Sequence, residues 1–318
     1  MVLIISIEQD EATNDVIKWL HKKGETVRRI NVEDEIDELS ITINRTILRY
    51  KTVIGAYVEI NLDKVSAFWY RRGNWPFREL VKHNDDWKVY DNTGRFIKSE
   101  NDTLRKYLHS YPFPKKLGDY YKKDAHKLLT LKIAKEVGFA IPEFLVTNNV
   151  NELNSFVESQ KQVITKVLAI PISLYMPKQW LPMYTTEVNS KDVVKNIGIS
   201  YLQNKINKKY ELRIFHLNPD FYTAAIFSQS NNRTITDYRK YDYDRPNRMV
   251  PFNLPKSVVE KLKELVKKLE LETCSIDIIV DDNDNYIFLE VNPIGQFGDI
   301  SYNCNYYLEN KIANYLSL

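Results

Sequence analysis

Ser275-Ile-Asp277-Ile-Ile-Val280, then Asp281-Asp-Asn-Asp-Asn285, then Tyr286-Ile-Phe-Leu-Glu290-Val-Asn292-Pro-Ile-Gly295-Gln296 is the stretch on which the reading of this chain turns. Two runs rich in β-branched residues enclose a polar Asx cluster, the pattern of a β-hairpin. With Asn283-Asp284 at the centre of the turn, Asp277 faces Glu290, and Asn292 lies further along the same face. The opposite face is then Ile276, Ile278, Val280, Ile287, Leu289 and Val291, which belong in a core. Like charges directly across a hairpin destabilise it. A hard divalent cation with oxygen ligands would compensate, and Mg²⁺ is commonly held by carboxylates together with phosphate oxygens. A solvated face with arginine or lysine neighbours would compensate as well. The pairing alone leaves both readings open.

Composition narrows the class of protein. At 318 residues the chain can bury a substantial core and is expected to form two or three lobes. A hydrophobic share of 43% with 27% charged residues excludes a disordered chain. A net charge of +3 is too small to argue for nucleic acid, but it suits ATP or an acidic substrate. Cys274 and Cys304 have neither metal-ligand spacing nor a disulfide framework, which suits a reducing cytoplasm. Met1-Val-Leu-Ile-Ile-Ser6 lacks a basic flank and soon turns acidic, so it reads as a buried strand and not as a signal peptide. No apolar run approaches a membrane span, and no membrane partner is expected.

In chain order, a strand at Val2–Ile7, a helix around Glu11–His21 and a strand at Val27–Ile30 suggest a small α/β lobe. Ile47 to Val58 and Val65 to Tyr70 are further strand candidates, the second ending in Phe68-Trp-Tyr-Arg71-Arg72. Adjacent arginines on a strand point to opposite faces, so one is expected to be merely solvated and the other free to clamp a carboxylate. A helix near Asn101–His109 stops before Tyr111-Pro-Phe-Pro114, the expected way out of the lobe. Asp124 is the expected cap of a helix ending near Val137, with Lys127 in its first turn. A cation is poorly placed there unless it reaches a phosphate, which the same helix end favours. A helix at Asn151–Ser159 leads to the strand Gln162–Leu168, where Lys166 stands among apolar neighbours and calls for an anionic partner. The segment 169–177 holds no glycine, so a Gly-rich phosphate loop is absent. A second hairpin follows at Tyr210–His216 and Phe221–Phe227, with Glu211 and Arg213 on one face. Arg213 suits either a cross-strand salt bridge or a transferring phosphoryl group. Thr234 to Arg248 is polar and basic; Pro255–Leu269 and Leu308–Leu316 read as amphipathic helices.

In this order the pieces resemble one family, the ATP-grasp ligases, over roughly Lys122 to Gln296, most specifically in the last segment. Phe68-Trp-Tyr-Arg-Arg72, Lys205 to Arg213 and Glu290-Val-Asn-Pro-Ile-Gly-Gln296 are similar to the ATP-grasp peptide maturases of microviridin-type pathways, the graspetide enzymes of the "grasp-with-spasm" type. The resemblance implies an ATP-grasp fold of the α/β (α+β) class. It has a pre-ATP-grasp domain (1–118), a central lid-like subdomain (119–200) and a C-terminal mixed-sheet subdomain (201–318). It also implies ATP and Mg²⁺ as cofactors. Asp or Glu carboxylates of an acidic precursor peptide would be phosphorylated and then attacked by Ser, Thr or Lys side chains, giving macrocyclic esters or amides.

Asp277, Glu290 and Asn292 match the family's metal ligands, Lys127 and Lys166 its nucleotide lysines, and Arg213 its phosphoryl-stabilising arginine. Gln203, Lys205, Ile206 and Glu211 match the nucleotide-binding region. Arg72, Asp237 and Arg239 are the expected peptide contacts. The chain departs from the family in its glycine-free lid and in Gln203-Asn204, where an acidic second residue is frequent. A cytoplasmic homodimer is expected. The competing functions are a ligase that adds free amino acids such as glutamate to a protein or peptide terminus, and an inactive peptide-binding module.

Overall fold

Val2–Ser6 forms strand β1, and none of its five side chains reaches solvent, as a central strand covered on both faces requires. The computed structural model describes residues 1–78, 87–168, 173–176, 179–182, 185–189, 196–229 and 247–317, with the backbone alone at 173–176 and 179–182. The chain divides into two compact units. The first holds residues 1–123, 296–301 and 307–318, and the second holds 124–295 and 302–306.

In the first unit, β1 leads through α1 (Glu11–Lys22) to β2 (Val27–Asn31). Asp10 caps α1 by accepting from the Thr13 N–H at 3.3 Å. An antiparallel ribbon follows: β3 (Glu35–Thr42), β4 (Arg45–Lys51) and β5 (Tyr57–Asn61). The single strand expected over Ile47–Val58 is therefore two, separated by a turn at Gly55 with φ +86°. Next come β6 (Ala67–Tyr70), α2 (Trp87–Ser110) and β7 (Lys115–Leu117). A parallel sheet of order β2-β1-β6-β7 forms the base of the unit. Past Tyr111–Pro114 the chain thus stays in the first unit, adding β7 beside β6.

The second unit opens with α3 (Lys127–Glu136), β8 (Phe144–Thr147), α4 (Val150–Ser159) and β9 (Val163–Thr165). The short strands β10 (Ser173–Met176), β11 (Gln179–Pro182) and β12 (Thr186–Val188) precede β13 (Ser200–Asn204). The order β12-β9-β13-β8 makes one antiparallel sheet, and β10-β11 a separate hairpin. The second half runs β14 (Tyr210–Leu217), β15 (Asp220–Phe227), β16 (Arg248–Pro251), α5 (Lys256–Leu269), β17 (Thr273–Val280) and β18 (Tyr286–Asn292). These strands form a five-stranded sheet of order β16-β15-β14-β17-β18. All its ladders are antiparallel, and its parallel character lies in one bridge between Ala140 and Ile287.

Helices α3 and α5 cover one face of this sheet. Leu131 and Ala134 of the first, with Leu262 and Leu265 of the second, pack on Leu212, Ile214, Ile276 and Ile278. The other face carries the site. The chain ends with α6 (Gly298–Cys304) and α7 (Leu308–Leu316), the latter packed against α1. Both cysteines are free and buried. Among the described residues, no helix is long and apolar enough to cross a membrane.

Candidate functional site

The hairpin forms, and Asp277 on β17 stands directly opposite Glu290 on β18. The register does not run straight through it. Ile278 pairs with Phe288, leaving Leu289 as the extra residue of a β-bulge. In an unbroken strand Phe288 and Glu290 would share a face. The bulge separates them, so Phe288 is fully buried in the core while Glu290 stays beside Asp277. This corrects one expected core position, Leu289, which is only half-buried; Ile287 is buried as expected but pairs with Ile279 on the site face. After β18, Asn292 is exposed, and its Oδ1 accepts from the Ile294 N–H at 3.0 Å. The turn brings Gly295 against β17. A Cβ there would lie 2.0 Å from the Ser275 Oγ and 2.5 Å from its backbone nitrogen, so only glycine fits.

The two acids are compensated by cations. Arg213 on β14 sits opposite Asp277, and its Nη1 donates to both carboxylate oxygens, at 2.6 and 2.8 Å. This is the cross-strand salt bridge of the two expected roles. Its partner is Asp277, expected as a metal ligand. Lys127, the first residue of α3, places its Nζ 3.2 Å from the Glu290 Oε2. The helix starts as expected except for its cap. His126, not Asp124, holds that position, its Nδ1 accepting from the Leu129 N–H at 3.4 Å. Two residues before Arg213 on the same face, Glu211 pairs with Lys208 and accepts from the Ser228 Oγ at 3.0 Å. Burial pushes the Glu211 carboxyl upward, and the charge and hydrogen bond of Lys208 oppose that shift.

Lys166 follows β9 and is half-buried. It approaches the same aromatic ring as Lys127. The Nζ atoms of Lys166 and Lys127 lie 5.9 and 5.6 Å from the centroid of Tyr201 on β13. The Tyr201 hydroxyl donates to the Oε1 of Gln203 at 3.2 Å, and Gln203 is buried. Lys205 forms an ion pair with Glu187, and its N–H donates to the Gln162 carbonyl at 2.9 Å. Ile206 is half-buried beside it. Sequence reasoning missed Tyr201 and Lys208, because nothing in their spacing separates them from ordinary strand and turn residues.

Arg72 belongs to the first unit. Both Arg71 and Arg72 bring Nε to 3.1 Å from the Asp10 Oδ2, so the expectation of opposite faces is wrong. The strand ends at Tyr70, and the N–H groups of both arginines donate to the same carbonyl, that of Ile5. Alternation therefore lapses where it was assumed to continue. Arg71 is buried over the Phe297 ring, and burial pushes it down to about 10 against the pull of Asp10. Arg72 is the more exposed of the two, at 29% against 5%. Asp237 and Arg239 lie outside the described residues.

Comparison with known proteins adds independent findings. The family model of the MvdD pre-ATP-grasp domain matches residues 1–89. Among solved structures, the chain is similar to a Chryseobacterium gregarium RiPP-associated ATP-grasp ligase in complex with ADP and a leader and core peptide. That pair shares 27% identity, covers 99% of this chain and 94% of the other, and has a TM-score of 0.81. It is likewise similar to the macrocyclase MdnC from Microcystis aeruginosa MRC, bound with precursor peptide MdnA, at 28% identity, 99% coverage of each chain and a TM-score of 0.80. The macrocyclase MdnB of that organism shares the fold at 20% identity, with a TM-score of 0.74 over 100% of this chain and 99% of the other. No curated protein matches. Its first 89 residues thus match a pre-ATP-grasp domain, and over its full length the chain has the fold of, and resembles, ATP-grasp ligases that act on precursor peptides.

Proposed function

We propose that the protein is an ATP-dependent ligase that joins Asp or Glu carboxylates of an acidic precursor peptide to Ser, Thr or Lys side chains of the same peptide. The observation that carries this reading is the linked set in which Lys127 at the start of α3 reaches Glu290, and Glu290 faces Asp277, which pairs with Arg213 across the sheet. ATP-grasp chemistry needs cations for phosphate and oxygen donors for metal in one place. Two facing carboxylates with Asn292 beyond them suit Mg²⁺, which takes one or two carboxylates and completes its shell with phosphate oxygens and water. Among the described residues there is no group of three or more His, Cys, Asp or Glu that could hold a metal.

Mg²⁺ held by Asp277, Glu290 and Asn292 would supply neutralisation of charge on the phosphates. Lys127 and Lys166 hold phosphate oxygens, and Arg213 steadies the γ-phosphoryl group as it moves. Gln203, Lys205 and Ile206 border the adenine, and Glu211 lies at the nucleotide end of β14. A substrate carboxylate oxygen bonds to the γ-phosphorus as the bond to ADP breaks. A hydroxyl or amine of the peptide then attacks the acyl carbon, loses its proton and displaces phosphate. Arg72 in the first unit, with Asp237 and Arg239, holds the acidic peptide. The working form is a cytoplasmic homodimer.

The test is to incubate the protein with ATP, Mg²⁺ and the short acidic peptide encoded beside it, and weigh the product. Loss of one water per crosslink is expected. Gain of an amino-acid residue would instead identify a ligase acting on free amino acids, and an unchanged mass would identify a binding module.

A further inference from the structure

We infer that Tyr201 is a positioning residue for the nucleotide, holding Lys127 and Lys166 against one aromatic ring so that both ammonium groups are in place before phosphate arrives; this rests on the nucleotide reading of the site. The two lysines come from distant parts of the chain. Lys127 opens α3, and Lys166 trails the three-residue strand β9. Flexible four-carbon stems lose considerable rotamer entropy when fixed, so two lysines converging on one ligand need something to hold them. The Tyr201 ring supplies it. The negative face of an aromatic ring attracts a cation within about 6 Å of its centroid. Both Nζ atoms meet that distance, at 5.6 and 5.9 Å.

The ring itself is fixed. Tyr201 is 2% exposed, its ring stacks on Phe144 at 5.7 Å, its hydroxyl donates to Gln203, and its carbonyl accepts from the Thr165 Oγ1 at 2.9 Å. Lys127 is tied a second time, by Glu290. One rigid side chain therefore links the lysine on α3 to the lysine after β9. Preorganisation of this kind strengthens binding by removing the ordering cost, without adding a ligand contact.

The aromatic face and the hydroxyl make separable predictions. Tyr201→Phe keeps the face and is expected to bind ADP with Mg²⁺ like the wild type, within a factor of about two. Tyr201→Leu keeps an apolar core residue but loses the face, and is expected to bind about 10-fold more weakly. The decisive measurement is calorimetric titration of ADP and Mg²⁺ in a Lys127→Met, Lys166→Met background. There Tyr201→Leu is expected to have no further effect, because nothing remains for the ring to hold. The same 10-fold loss in both backgrounds would make Tyr201 an ordinary core residue and overturn the inference. So would unchanged binding by Tyr201→Leu in the wild-type background. Thermal melting of each variant separates a packing defect from a binding defect. Failure of the wild-type protein to bind ADP with Mg²⁺ would instead refute the nucleotide reading itself.

Discussion

Replacing Asp277 with alanine tests whether the free protein stores its site as an ion pair. The carboxylate accepts twice from the Arg213 Nη1, and the two side chains are 18% and 15% exposed. Removing one partner of a fully buried pair costs about 3–5 kcal/mol, because it strands the other charge. Residual solvent access at both groups lowers the expectation to about 2 kcal/mol. Arg213→Ala should cost a similar amount by stranding Asp277, and the double variant should recover most of one loss, giving a coupling of about 1–2 kcal/mol. The probe must report the second unit. Of the five tryptophans, Trp19, Trp69, Trp75 and Trp87 lie in the first unit and Trp180 alone in the second, so tryptophan emission would mostly follow the wrong part of the chain. Hydrogen exchange of the β14 and β17 amides is the suitable assay. Additive losses in the double variant would refute the coupling of the pair.

Three further outcomes are expected. Gly295→Ala should destabilise the second unit by about 3 kcal/mol or more, since the new Cβ meets backbone as well as side chain; Ser275→Gly should not rescue it, because the Ser275 nitrogen stays 2.5 Å away, and full rescue would place the clash elsewhere. Glu290→Gln should abolish ATP-dependent crosslinking while shifting the melting temperature by no more than about 3 °C, and wild-type activity in this variant would remove Glu290 from the metal site. His109 is buried against Tyr120, and burial, aided by Lys123, Lys116 and Arg105, pushes its imidazole down to about 3. The unfolded chain takes up that proton near pH 6.5, so the first unit should lose up to about 1.4 kcal/mol of stability per pH unit as pH falls from 6.5 toward 3. Urea unfolding followed by tryptophan emission should show that slope, and His109→Phe should flatten it; identical slopes would refute the assignment.

The sequence carried the site better than it carried the outlines of the fold. Asp277 opposite Glu290, Lys127 at a helix start and Arg213 sharing a face with Glu211 all follow from alternation and helix chemistry, and all are present. The bulge at Leu289 was invisible because Phe288 and Leu289 are both large and apolar, and only packing decides which of them enters the core. Helix α2 begins at Trp87, well before the stretch expected near Asn101, because its first half buries little and so leaves no periodic stripe to read. Strand β3 was missed because most of its side chains are exposed, so it shows no buried alternation. The arginines after Tyr70 misled because two residues share one backbone acceptor, an arrangement that no residue type announces.

The ladder of pairs across β14, β17 and β18 has a consequence for how the site responds to its ligands. Before anything binds, Asp277 and Glu290 are matched against Arg213 and Lys127, so the two acids and the two bases cancel. A metal ion arriving alone would take the acids and strand the bases, while a nucleotide arriving alone would do the reverse. Only the two together exchange every partner without leaving a charge unmatched. On the proposed function, the site would then act as a logical AND, with metal and nucleotide each raising the affinity for the other by the same factor.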